Sequence, residues 1–217
     1  MVSPELAMAA SPAAPPIPAK LTIAADGWCD YARRQPSPNF DARAEGMVTD
    51  LLVIHNISLP PGQFGGPFIG DLFCNQLDCD AHPYFDQLRA LRVSAHFVIQ
   101  RDGQLLQFVS ANDRAWHAGV SSFKGRERCN DFSIGIELEG TDFEPFTELQ
   151  YQVLATLAAA LRQRYPLTDV AGHEHIAPGR KTDPGPFFDW PRFQKDFYCH
   201  VEAAQLRFPS GVGESQA

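Results

Sequence analysis

From Asp50 to His55 the chain reads Asp-Leu-Leu-Val-Ile-His, four apolar and partly β-branched residues in a row that end on an imidazole. A run this short and this apolar is too brief for a helix and reads as a strand buried on both faces. Ile134 to Glu139 is a second such run, and Val93–Ile99 with Leu105–Val109 form a hairpin around the turn Arg101-Asp102-Gly103. Between the later runs lies a helical segment. Thr147-Glu148-Leu149-Gln150 has the form of a capping box, and Leu149, Val153, Leu154, Leu157, Ala158 and Leu161 recur at helical spacing down to about Arg164. A short strand over 170–173 and a closing helix around 190–200 follow. The alternation predicts an α/β fold, a single domain with a central mixed β-sheet flanked by helices.

Composition bounds what such a domain can do. The 217 residues carry Lys+Arg 18 against Asp+Glu 26, a formal net charge of −8, which argues against a general nucleic-acid binder. Apolar runs stay far below the ~18 residues of a membrane span, so neither nucleic acid nor membrane is expected as a partner. The five cysteines are odd in number and include no Cys-x-x-Cys pair, the pattern of free thiols in a reducing compartment. Residues 1–25 read as a disordered Pro/Ala-rich extension; no Lys or Arg precedes Lys20 and prolines interrupt every apolar stretch, unlike a secretory leader. The folded domain is expected over 26–208 and a flexible tail over 209–217, in a cytoplasmic protein that has no need to be more than a monomer. The breaker-rich segment 58–83 predicts a long irregular loop of the kind that forms lids or binding walls.

Seven histidines stand at 55, 82, 96, 117, 173, 175 and 200. His55 ends a strand, where ligands gather in α/β sheets. His173 follows another apolar stretch, and Asp183 comes ten residues later. Two imidazoles and a carboxylate can occupy three corners of a tetrahedral zinc site and leave the fourth for water. In Ser133–Glu139, period-two geometry sets Ile134, Ile136 and Leu138 on one face and Gly135, Glu137 and Glu139 on the other. An ordinary half-exposed strand and a carboxylate facing a cleft both satisfy that pattern.

Five segments together carry a resemblance: His-Asn-Ile-Ser-Leu-Pro-Pro-Gly from His55, Arg-Val-Ser-Ala-His from Arg92, Arg-Ala-Trp-His-Ala-Gly from Arg114, Gly125 through Gly140, and Gly172 through Pro186. Over roughly residues 27–197 the chain resembles the zinc-dependent N-acetylmuramoyl-L-alanine amidases, a fold group shared with phage lysozyme-type amidases and peptidoglycan recognition proteins. It is most similar to the cytoplasmic branch that acts on 1,6-anhydro-muropeptides. The resemblance implies one zinc ion held by His55, His173 and Asp183, an acid/base role for Glu137 and a charge-stabilising role for Lys181. It places Asn56, Arg92, the backbone at Ala115, and Arg128 along the substrate groove. The implied substrate is a small muropeptide, cut between the lactyl carbonyl of its (1,6-anhydro-)muramic sugar and L-alanine, in cell-wall recycling. An amidase of phage or envelope type acting on intact peptidoglycan, and a muropeptide-binding module without catalysis, are the alternatives. His175 reads as a neighbour rather than a ligand, His96 as a strand histidine satisfied by hydrogen bonds, and His82 and His200 as surface residues; the family assigns His117 no place at the metal.

Overall fold

The computed structural model describes residues 16–201 and 206–209. Its centre is β3 (Leu51–Ile57), whose first five residues are all buried. Beside it lies β9 (Ser133–Glu139), buried along its whole length, so the half-exposed reading of that strand does not hold. The strands β1 (Arg33–Arg34), β5 (Leu105–Gln107), β4 (Phe97–Ile99), β9, β3 and β10 (Asp169–Gly172) follow one another in that order across a six-stranded sheet. Only β4 and β5 pair antiparallel; the other neighbours are parallel. This is the mixed sheet expected, with the 93–109 hairpin shortened to three residues a strand. Two-residue ladders, β2 (Phe40–Asp41) with β6 (Arg114–Ala115) and β7 (Ser122–Phe123) with β8 (Arg126–Glu127), lie outside the main sheet.

Period two sorts the side chains. Leu52, Ile54, Ile134, Ile136 and Leu138 enter one core with Leu154, Leu157 and Leu161 of α2 (Glu148–Arg164) and with Phe193 and Phe197 of α4 (Trp190–Tyr198). Leu51 and Val53 enter a second cluster with Ala171 and Ile176, the latter on the single turn α3 (His173–Ile176). His55 continues the Leu51–Val53 alternation, so it emerges on the face opposite α2.

α2 begins as its sequence dictates. Thr147 Oγ1 accepts from the Gln150 amide at 3.2 Å while Gln150 Oε1 accepts from the Thr147 amide at 3.0 Å. Leu149, expected on the buried face, is 42% exposed. It sits in the first turn, against the Gly103 bend of the hairpin.

Two expectations change. The 58–83 segment is not wholly irregular: α1 (Phe68–Phe73) lies inside it, a 3₁₀ turn spans Pro83–Leu88, and both pack Leu72, Phe73 and Phe85 against Val98 and Leu106 of the sheet. His82 has a structural place there, capping that turn with its Nδ1 accepting from the Tyr84 amide. The extension expected over 1–25 ends earlier within the described residues: Leu21 and Ile23 are 1% and 7% exposed in the main core. Past Pro18 these residues alternate as a strand does, and Ile23 bridges Cys29. Residues 1–15 and 210–217 of the expected extension and tail lie outside the described residues.

Candidate metal centre

Parallel pairing of β3 with β9 makes His55 and Glu137 register partners, so their side chains leave the same face of the sheet. β3 also pairs with β10, whose last residue, Gly172, lies opposite Ile54; the next residue, His173, therefore rises beside His55. A methyl on Gly172 would meet Pro184 Cδ at 2.7 Å, so the glycine lets the 183–184 loop close over the strand end. That loop is held by the Glu174 amide donating to Asp183 O and by Asn56 Nδ2 donating to Pro184 O at 3.0 Å.

His55 Nδ1, His173 Nδ1 and Asp183 Oδ2 converge. The two nitrogens lie 3.0 Å apart, and the carboxylate oxygen is 2.9 Å from the first and 3.0 Å from the second. His173 Nε2 faces the Ala118 carbonyl at 3.0 Å and must donate to it, which leaves its Nδ1 as a bare lone pair. Two imidazole lone pairs and a carboxylate oxygen this close repel one another unless a cation sits among them. The donor set suits a metal ion, and it is the one three-residue group of this kind among the described residues. Burial drives the His55 pKa down to about 4, keeping it neutral. Burial alone would raise Asp183, but hydrogens on the facing nitrogens of His173 and His55, in the place a metal would take, hold its carboxyl well below the usual range. A neutral imidazole beside an ionised carboxylate is what metal binding requires.

These groups open into a cleft of about 380 Å³. One wall carries His55, Asn56, Glu137, His173, Lys181 and Asp183; the other is apolar, with Leu59, Leu72, Phe73, Leu88, Val93 and Trp116. Leu59, Leu72 and Phe73 of the 58–83 segment are among these apolar residues, so the long loop lines part of the cleft. Glu137 is 8% exposed, and its Oε2 has no hydrogen-bond partner among the described residues. Burial pushes its pKa well above the usual carboxylate value, the Asp183 charge adds to that, and Lys181 pulls the other way. Its strand neighbour Glu139 faces no cleft; it braces structure by accepting from the amides of Gly65 and Arg101.

The remaining candidates are distributed unevenly. Asn56 lines the cleft, with both amide hydrogens engaged by Asp142 and Pro184. Arg92 is exposed beside the apolar wall, donating to the carbonyls of Arg89 and Leu91. Ala115 is buried in β6, one residue before the cleft-lining Trp116. Arg128 lines a separate depression with Gly119, Val120 and Arg180, and pairs with Asp131 at 3.2 Å. His175 is turned away from the triad, its Nδ1 accepting from the Gly172 amide at 2.8 Å and its ring edge-on to Trp190. His96 is satisfied: Nδ1 accepts from the Gly135 amide and Nε2 donates to Asp113 O. Sequence reasoning left out His117, which touches His55; the Trp-His-Ala segment was its only signal.

Two imidazoles and a carboxylate gathered beside this sheet are a set that could hold a metal ion, and residues 45–186 match the model of the N-acetylmuramoyl-L-alanine amidase family, a class of hydrolases. The chain belongs to that family. It is 59% identical to the 1,6-anhydro-N-acetylmuramyl-L-alanine amidase AmpD of Citrobacter freundii, over 78% of this chain and 91% of the relative. A crystal structure of a selenomethionine derivative of AmpD is 58% identical and superposes with a TM-score of 0.77, covering 79% of this chain and 97% of that one. A complex of the Escherichia coli amidase AmiD with anhydro-N-acetylmuramic acid-L-Ala-D-γ-Glu-L-Lys is 29% identical at a TM-score of 0.51, over 81% of this chain and 65% of AmiD.

Proposed function

We propose that the protein cleaves the amide between the lactyl group of 1,6-anhydro-N-acetylmuramic acid and L-alanine in small muropeptides, using one zinc ion held by His55, His173 and Asp183. The observation that carries this reading is the convergence of two imidazole lone pairs and a carboxylate on the face that also carries Glu137. Its AmpD relatives act on anhydro-muropeptides by name, and the AmiD complex holds one as substrate.

An amide resists water because resonance dulls its carbonyl and because an unprotonated amine leaves badly. Zinc, when bound, polarises that carbonyl and lowers the pKa of its water to about 7. Glu137, with Oε2 free of other partners, takes the proton from the attacking water and returns it to the departing L-alanine nitrogen. Lys181 stabilises the negative charge that grows on the former carbonyl oxygen. The apolar wall from 59 to 93 keeps bulk water away from these charges, which strengthens them. Asn56 lines the groove for the substrate, and Arg92 beside it offers a forked donor to a carboxylate of the stem peptide. All five cysteines are free, which suits a monomer working in a reducing cytoplasm.

The test is hydrolysis of anhydro-muropeptides and of intact sacculi by zinc-loaded and chelated protein. Release of anhydro-muramic acid only from the soluble fragments, lost on chelation and restored by zinc, is the expected result. Full activity after chelation would remove the metal from the reading, and preference for sacculi would move the enzyme to the envelope or phage class.

A further inference from the structure

His55 and His173 each have two ring nitrogens, and only one tautomer of each leaves Nδ1 bare toward Asp183. At His173 the Ala118 carbonyl makes that choice directly. At His55 the choice is made through three further groups. The chain starts at the Cys129 carbonyl, which can only accept; Ser133 Oγ lies 2.6 Å away and spends its single hydrogen there. Ser133 Oγ is also 3.1 Å from His117 Nε2, so it must accept from that nitrogen. With its hydrogen given from Nε2 to Ser133 Oγ, the His117 ring presents Nδ1 to His55 as an acceptor. That Nδ1 is 2.9 Å from His55 Nε2, which must therefore carry the hydrogen. His55 Nδ1 is left as a lone pair.

We propose that His117 is a positioning residue that, through the chain Cys129–Ser133–His117, locks His55 in the tautomer that presents Nδ1 to the metal. The proposal rests on the metal reading of His55, His173 and Asp183. Two observations show that the position is built for this. Asn130 Oδ1 accepts from the backbone amides of both His117 and Ala118, at 3.1 and 2.8 Å, so one clamp sets the partners of both ligand histidines. Gly135 makes room for the ring, since a methyl there would come within 2.4 Å of His117 Cγ. Partners of this kind orient a metal-ligating histidine and make it more basic, and losing one weakens metal binding by about ten- to a hundredfold.

The experiment titrates zinc into metal-free full-length protein against a chromogenic chelator, comparing the native chain with His117→Phe, His117→Asn and Ser133→Ala. Thermal melts of the metal-free proteins serve as the fold control. Phenylalanine fills the ring volume without an acceptor and should weaken zinc binding by about ten- to a hundredfold. Asparagine, which returns an acceptor toward His55 Nε2, should recover most of that loss, and Ser133→Ala should fall between. Nitrogen-15 spectra of the native zinc-loaded protein should show His117 protonated on Nε2 and bare at Nδ1; this readout remains if His117→Phe does not fold. A folded His117→Phe with native zinc affinity, or a His117 protonated on Nδ1, overturns the proposal. Failure of the native protein itself to bind zinc instead overturns the metal reading beneath it.

Discussion

Glu137 keeps one buried carboxylate oxygen without a partner, an arrangement that costs about 1–3 kcal/mol in an ordinary protein interior. Such a cost is tolerated where the atom is reserved for a proton in transit. Glu137→Gln keeps the shape and removes the base, so kcat should fall by about 10²–10⁴ while KM shifts little. Lys181→Met should lower kcat by about 10²–10³ with zinc content unchanged. Steady-state kinetics on an anhydro-muropeptide, with metal analysis of each variant, check both; an unchanged kcat in either would strip that residue of its role. Residue type and spacing point only weakly to His55, His173 and Asp183, which lie far apart in the chain; the family resemblance carried them, and the role of Glu137 with them. His117 could not be read from the chain, because what it does depends on which nitrogen of a neighbour it faces, and neither motif nor periodicity encodes that.

Gln150 shows the same boundary at the level of the element. Its part in the capping box was legible, three residues from Thr147. Its Nε2 also donates to the carbonyls of Ile99 and Glu139, at 3.1 and 2.8 Å, tying the start of α2 to the ends of β4 and β9. Gln150→Ala should therefore cost more than the 0.5–2 kcal/mol of a lost cap, about 2–4 kcal/mol, because two buried carbonyls lose their donor. Urea unfolding followed by circular dichroism measures this; a loss below about 1 kcal/mol would mean that water replaces the side chain. The strands were legible because each is an apolar run with a clear period. α1 was not: six residues among prolines and glycines are too few to show a helical repeat, and its place comes from packing Leu72 and Phe73 against the sheet.

For the whole molecule, pH acts through buried histidines. In an unfolded chain a histidine titrates near 6.5; burial, with the Arg43 charge beside it, drives His96 down to about 3. Below pH 6.5 the unfolded chain takes up a proton that the fold refuses, so this contribution to stability is lost as pH falls from about 6.5 toward 3. At pH 5 it amounts to about 2 kcal/mol from His96 alone. Burial raises Glu137 and Glu139, which act in the opposite sense: the folded state holds their protons longer, and stability falls as pH rises past about 4.5. Thermal melts of metal-free protein should show that His96→Gln, less stable than the native chain at pH 7, loses about 2 kcal/mol less between pH 7 and 5; parallel curves for the two would mean that His96 is not held neutral. Net charge was legible from composition and gave no hint of this, since it counts every histidine alike.

His55 and Asp183, which meet at 2.9 Å, are separated by 128 positions of chain. During synthesis at 5–20 residues per second, β3 therefore leaves the ribosome roughly 6–25 s before the last member of the triad exists. Until β9 is complete at Glu139, 84 positions after His55, an apolar strand meant for the middle of a sheet has no finished neighbour on either side. Nascent chains of this protein are thus expected to lean on chaperones, and to become competent for metal only once Asp183 has emerged.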